Sequence, residues 1–142
     1  MKRYLLDTNV VSEVRRKLPN EKVVEWIAVQ NTETLYLSVV TLGEICQGIE
    51  RLRLHDESQA EGIEKWFTEL APSFAGRVLV VNAEIAERWG RLCPRQTLGA
   101  ADGLIAATAI EHGMTLVTRN VQDFERTGVS LLNPFEENAA HG

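Results

Sequence analysis

Four acidic side chains carry the chemistry this sequence has to offer. Asp7 follows the apolar triplet Tyr4-Leu5-Leu6, and Glu44 lies three residues after Thr41. Asp102 opens the apolar run Gly103-Leu-Ile-Ala-Ala-Thr-Ala-Ile110, and Asp123 lies three residues after Asn120. Each has an ordinary structural use. Asp7 or Asn9 can cap a helix that follows it. Thr41-Leu-Gly-Glu44 fits a capping box. Asp102 complements the positive end of a helix dipole, and Asn120 to Asp123 repeats the box with aspartate in place of glutamate.

Their placement argues for a joint use. Asp7 ends a strand, and the other three are expected in the first turns of helices, those of Glu44 and Asp123 directly following strands. That arrangement gathers them at one edge of a sheet. Carboxylates held together repel unless a cation neutralises them, and hard divalent cations prefer oxygen ligands. The cluster reads as a metal site. Magnesium suits it, because it keeps several waters and is bound by one or two carboxylates plus substrate phosphate. Such an ion lowers the pKa of a water and steadies negative charge on a phosphodiester. No histidine, cysteine or lysine is placed as a nucleophile. His55, His112 and His141 share no local motif, and His112-Gly113 reads as a helix C-terminus.

The elements that must position these residues alternate along the chain. Tyr4-Leu5-Leu6 is a short strand, and a helix is expected from Val10 to about Lys17, closed by Pro19. Asn20 caps a second helix whose apolar face holds Val23, Val24, Trp26 and Ile27. Leu35 to Ser38 is the second strand, followed by a helix from Thr41 to about Leu54 and another from Glu57 to Leu70. Pro72 and Gly76 mark a loop. Val78-Leu-Val-Val81 reads as a strand covered on both faces. Helices follow near 83–92 and 100–112, then a strand at Thr115 to Thr118, a short helix near 121–126, and a strand at Val129 to Leu132. Strand–helix alternation of this kind gives a parallel sheet between helices. In such sheets the ligand binds beyond the carboxyl ends of the strands. That is the edge where Asp7 falls.

Length and composition fit one domain. The 142 residues are 44% hydrophobic and 25% charged, enough for a single core. Residues 1–135 are expected to form it, with residues 136–142 a disordered tail. No apolar run approaches the ~20 residues that span a bilayer, and Asp7 and Asn9 interrupt any signal-like start. A cytoplasmic location is expected. Cys46 and Cys93 form no metal-binding pair and read as reduced thiols, at least one of them buried. The net charge of −5 argues against a polyanionic partner, but clustered carboxylates that take up metal reverse the charge locally. Arg15-Arg16-Lys17 can steer phosphates toward that metal; a solvated helix face explains them equally well. Trp26, Trp66 and Trp89 lie on apolar helix faces and suit core or interface roles.

Four segments together resemble the PIN-domain family. They are Leu5-Leu-Asp-Thr-Asn-Val-Val-Ser-Glu13, the helix carrying Glu44, Ala101-Asp-Gly-Leu-Ile-Ala-Ala-Thr-Ala109, and Leu116-Val-Thr-Arg-Asn-Val-Gln-Asp-Phe124. The likeness is greatest to VapC-type toxin ribonucleases of bacterial toxin–antitoxin pairs, including the FitB-like branch, and spans roughly residues 3–135. It implies an α/β fold with five parallel strands in the order 3-2-1-4-5 between helices. It implies Mg²⁺-dependent cleavage of RNA, with Mn²⁺ able to substitute. By motif, Asp7 and Asp102 are the principal metal ligands, Glu44 the third acidic residue, and Asp123 the fourth, reaching metal through water. Thr118 and Asn120 hold the site and the attacking water, and Asn9 orients Asp7. Gly103 stands where the family often has alanine, which touches nothing catalytic.

The resemblance also implies a cognate antitoxin, a small DNA-binding protein. Its tail is expected along an apolar groove near Trp26, with an arginine entering the acidic cluster. A homodimer is expected through the helices between about 41 and 70, where Trp66, Phe67 and Leu70 crowd together, with a heterotetramer or larger assembly once the antitoxin binds. Three other readings compete. A haloacid-dehalogenase-type phosphatase needs a second aspartate where Asn9 stands. A phosphorelay receiver needs a central aspartate where Asn82 follows the third strand, and a late lysine that is missing. A PIN-like domain that only binds a partner would need none of the four acidic positions.

Overall fold

Short β-branched and leucine-rich segments pair in parallel because the helices between them return the chain to the same edge. The computed structural model describes residues 1–92 and 98–136. Its strands are β1 (Tyr4–Leu6), β2 (Leu35–Ser38), β3 (Val78–Leu79), β4 (Thr115–Val117) and β5 (Leu131–Leu132). All neighbours pair in parallel, in the order β3-β2-β1-β4-β5. The chain first works outward from β1 through β2 to β3. It then crosses back to the other side of β1 for β4 and β5. The reversal lies between β1 and β4, and it opens a crevice at their carboxyl ends.

The helices are α1 (Thr8–Val14), α2 (Glu21–Val29), α3 (Val39–Arg53), α4 (Glu57–Ser73), α5 (Ala83–Leu92), α6 (Ala100–Glu111) and α7 (Val121–Phe124). Alternate residues of each strand face opposite layers. Tyr4, Leu6, Leu37 and Val117 join Val10, Trp26, Ile45 and Ile49 on one face. Leu5 and Leu116 join Ile105, Ala106, Ala109, Phe124 and Val129 on the other. Trp26 is the largest fully buried side chain and meets the Tyr4 ring edge-on at 5.0 Å. The α6 helix runs through the core, buried from Gly103 to Ala109 except at Leu104. This explains its apolar character on every side.

Several boundaries differ from the sequence reading. The first helix begins at Thr8, because the Asp7 side chain accepts from the Thr8 N–H and caps it; Thr8-Asn9 is helix, and Lys17 lies beyond its end. The third helix begins at Val39, capped by Ser38, so Thr41-to-Glu44 is no capping box and Glu44 stands in the second turn. Asn120 precedes α7 without a side-chain cap bond, so that box is also unformed. The third strand ends at Leu79, and Val80 is 63% exposed: it is an edge strand, not one covered on both faces. The fourth and fifth strands stop at Val117 and start at Leu131. The helix expected near 121–126 is a single turn of α7 followed by a 3-10 turn over Glu125–Thr127. Gly113 does close α6 in the left-handed conformation (φ 63°), as glycine at a C-terminus should. Cys46 is exposed, and Cys93 and the tail from 137 onward lie outside the described residues.

Pro72 sits inside the last turn of α4, where a loop was expected. Arg77 makes that end tenable. Its guanidinium donates to the Ser73 carbonyl at 3.0 Å and to the Thr32 and Leu35 carbonyls at 2.7 Å each, and it stacks on Phe74. One fork thus ties the end of α4 to the start of β2. Charged hydrogen bonds of this kind contribute about 1.5–3 kcal/mol. Arg77→Ala should lower unfolding stability by about 2 kcal/mol, measured by urea titration. An unchanged midpoint would remove Arg77 from this role.

Candidate active site

Asp7 is buried, 3% exposed, at the carboxyl end of β1. A buried carboxylate needs donors, and the neighbouring strand and helix supply them. The Thr8 N–H donates to Oδ1 at 2.8 Å, the Thr118 hydroxyl to Oδ2 at 2.8 Å, and the Asn9 amide to Oδ2 at 3.2 Å. Thr118 follows β4, so its bond to Asp7 spans the crevice where strand order reverses. A backbone bond from Asp7 N–H to the Val117 carbonyl, 2.9 Å, runs beside it. Thr118 is itself fixed by the Asn120 N–H at 3.1 Å, and Asn9 by the Arg119 N–H at 3.1 Å.

Electrostatics works against these donors. Burial is the main cause that raises the Asp7 carboxyl to about 6, with Asp102 and Glu44 adding to it. Burial also raises Asp102, and Glu44 and Asp123 push it further. Asp102 therefore stands in the field of the other three. Its place in the first turn of α6 is not offset by a side-chain cap at Gly99. Asp123 lies in the first turn of α7 and is exposed. No salt bridge among the described residues engages any of the four.

Two threonines escaped the sequence reading. The Thr8 hydroxyl donates to Glu44 Oε1 at 2.6 Å and lies 3.2 Å from the Thr41 hydroxyl. Thr8 thereby holds Glu44 toward the cluster while its N–H holds Asp7. The available signal was a threonine immediately after the strand-ending aspartate; Thr41 was hidden by its apparent role as a cap. Glu13, within the motif but given no role there, is buried. It accepts from the Asn20 N–H at 2.8 Å and pairs with Arg16 at 3.1 Å, which holds its carboxyl below the usual range, the Asn20 bond first.

The donor set fits one kind of cation. No three Asp, Glu, His or Cys side chains among the described residues converge closely enough to enclose an ion by themselves. A structural zinc cage needs four such ligands. Magnesium needs one or two carboxylates and keeps its waters, through which outlying carboxylates reach it. His55 follows the end of α3 and His112 the end of α6, far along those helices from Glu44 and Asp102. Position 9, where a phosphatase of the haloacid dehalogenase type would use aspartate, is an amide bonded to Asp7. Trp26 itself is buried, and an apolar groove lies near it. The groove on its helix is formed by Leu18, Pro19 and Val24 with Glu21 and Glu25. Trp66 and Phe67 are half-buried against the core.

The fold and this arrangement place the chain in the PIN-domain family, whose model matches residues 4–129. Among its relatives is VapC ribonuclease Y4jK of Sinorhizobium fredii, 36% identical over 93% of this chain and 97% of that protein. Toxin FitB of Neisseria gonorrhoeae is 36% identical over 94% of this chain and 99% of its own length. The crystal structure of FitAcB from the same organism superposes with a TM-score of 0.84 at 34% identity, covering 94% of this chain and 99% of that one.

The raised Asp7 carboxyl has a consequence for stability. Its folded value, about 6, lies above the ordinary 3.8, so the folded state holds this proton more tightly than the unfolded chain. The associated stability is fully present below pH 3.8 and is lost as pH rises through 6, about 3 kcal/mol in all. In EDTA, the wild type should lose stability relative to Asp7→Asn between pH 4 and 7, by urea titration at each pH. Parallel curves for the two proteins would show that Asp7 is not strained by burial.

Proposed function

We propose that this chain is a toxic, Mg²⁺-dependent endoribonuclease of a type II toxin–antitoxin pair, with Mn²⁺ able to replace Mg²⁺. The observation that carries the reading is that Asp7, Glu44, Asp102 and Asp123 stand within reach of one another's charge, with Asp7 at the crevice of a parallel sheet and no cation paired to any of them among the described residues. The names of its relatives, a ribonuclease and a toxin, support it.

A magnesium ion, when bound, supplies the positive charge that activates the attacking water and steadies the negative charge building on the phosphodiester. The chain's own groups do the rest. Asp7 and Asp102 would hold the ion, with Glu44 as the third acidic residue and Asp123 as the fourth, acting through water. Thr118, Thr8 and Asn9 fix the Asp7 oxygens so that no reorganisation is needed during the reaction. Thr8 also turns Glu44 inward. Asn120 locks the Thr118 hydroxyl and holds the attacking water with it. The water oxygen bonds to phosphorus as the bond to the 3′ oxygen breaks. The products are a 5′-phosphate and a 3′-hydroxyl.

A nuclease acting on cellular RNA works in the cytoplasm and must be restrained there. We propose a small DNA-binding antitoxin whose tail follows the Leu18–Val24 groove, attracted by Glu21 and Glu25, and places an arginine against the acidic cluster. Arginine can pair with two carboxylate oxygens at once and substitutes for the metal's charge. The free protein is proposed as a homodimer through α3 and α4, where Trp66 and Phe67 keep apolar surface half-exposed, and as a heterotetramer or larger with antitoxin.

Asp7→Asn and Asp102→Asn should each abolish RNA cleavage, and the wild type should leave 5′-phosphate ends in Mg²⁺, read by end-labelling and gel mapping. Retained cleavage in either variant would break the assignment, and 2′,3′-cyclic phosphate ends would exclude water attack. Wild-type protein that leaves RNA intact in Mg²⁺ or Mn²⁺ would make the chain a binding module only. For the partner, light scattering should give twice the 15.9 kDa chain mass, and changing the antitoxin's tail arginine to alanine should weaken inhibition. A strict monomer, or full inhibition by the alanine form, would refute the respective claim.

A further inference from the structure

A chain with a net charge of −5 and a carboxylate cluster at its crevice repels RNA except where uncommitted cations lie. Five of the eleven arginines are engaged. Arg16 pairs with Glu13, Arg53 with Glu50 and Glu64, and Arg88 with Glu111, while Arg3 and Arg77 bond backbone carbonyls. Arg15, Lys17 and Arg119 make no ion pair among the described residues. These three flank the acidic cluster.

On one flank, a channel of about 180 Å³ begins at Thr8 and Glu44 and continues past Ser12 to Arg15 and Ile63. It shares Arg15 and Ile63 with a larger groove of about 610 Å³ between the end of α1 and α4. Arg15, Arg16 and Lys17 form one wall of that groove, and Gln59, Ile63 and Trp66 the other. A groove with a cationic wall can take the phosphates of a single strand. Arg119 lies over the Phe135 ring at 4.4 Å and lines a polar recess of about 260 Å³ with Asn120 and Asp123. The channel holds Glu44 and the recess holds Asp123, so each adjoins the acidic cluster. The Leu18–Val24 groove, by contrast, is rimmed by Glu21 and Glu25 and rejects phosphate.

Resting on the nuclease reading above, we infer that single-stranded RNA crosses the acidic cluster between two cationic flanks, Arg15 and Lys17 on one side and Arg119 on the other, which hold phosphates on either side of the scissile one. Buried Glu13 sets the first flank. By holding the Asn20 N–H and Arg16 it fixes the turn after α1 and leaves Arg15 and Lys17 free.

The test uses the full chain and an unstructured RNA of about 12 nucleotides. Cleavage kinetics in Mg²⁺ are measured against salt for the wild type, the double variant R15A/K17A, Arg119→Ala, and Lys2→Ala as a cation at the amino edge of the sheet. Each phosphate contact to a single strand contributes about 0.7 to the log–log salt slope. R15A/K17A should raise KM by about tenfold or more, with kcat within about twofold, and flatten the slope by about 1.4. Arg119→Ala should flatten it by about 0.7, and Lys2→Ala should leave both unchanged. Fluorescence anisotropy of the labelled RNA, with each change placed in an Asp102→Asn background, reports binding without cleavage. Equal affinity and slope in all variants would overturn the inference. Wild-type RNA handling combined with lost antitoxin inhibition in R15A/K17A would overturn it too, making the groove a protein site. If the wild-type chain does not cleave but the anisotropy still weakens as expected, the RNA path holds and the nuclease reading fails.

Discussion

The constraint on which the rest depends is that Asp7 must carry its charge where water is nearly excluded. Burial raises its carboxyl to about 6, so at neutral pH the folded protein tolerates an ionised group that its surroundings disfavour. Three donors from Thr8, Asn9 and Thr118 make this tolerable. Thr118 can reach Asp7 only because β1 and β4 are neighbours in parallel register, Leu6 beside Val117. The strand order is therefore part of the site. A sheet with β4 elsewhere would bury the same aspartate without its strongest side-chain donor.

The same carboxylate also does structural work, because it caps α1. The capping and metal-binding readings of Asp7 are therefore not alternatives. One oxygen takes the Thr8 N–H and the other takes Thr118 and Asn9, and a carboxylate has lone pairs left beyond these three. For Glu44 the outcome is different: the capping reading fails, because Ser38 caps α3 and places Glu44 in the second turn. That shift brings Glu44 within 2.6 Å of the Thr8 hydroxyl.

What could be read in the sequence was what depends on local pattern. Strand–helix alternation gave a parallel sheet, and the four motifs, through their family resemblance, implied the order 3-2-1-4-5 that the structure has. Asp102 in the first turn of an apolar helix was legible for the same reason. What could not be read depends on contacts across elements. Val78 to Val81 looks covered on both faces, but β3 is the edge strand, and hydrophobicity alone does not distinguish the two. Pro72 is a breaker by its own chemistry and is kept in α4 with the help of Arg77, an arginine that joins it only through β2. The Thr8–Glu44 bond joins residues 36 apart, and nothing in either neighbourhood announces it.

Charge is distributed with the same economy of contacts. Among the described residues the acidic groups of the site have no basic partner, while elsewhere Glu50, Glu64 and Glu111 take arginines at 3.1 Å or less. Pairing Asp7 or Asp102 with a resident arginine would relieve its raised pKa. It would also fill the place of the cation, or the partner's guanidinium, that is proposed to bind there. Glu13 shows the opposite solution a few residues away: buried like Asp7, it has Arg16 and a backbone N–H and is held in its charged form. Two carboxylates at the two ends of one short helix thus titrate in opposite directions, Glu13 lowered by the Asn20 N–H and Arg16 and Asp7 raised by burial beside Asp102 and Glu44.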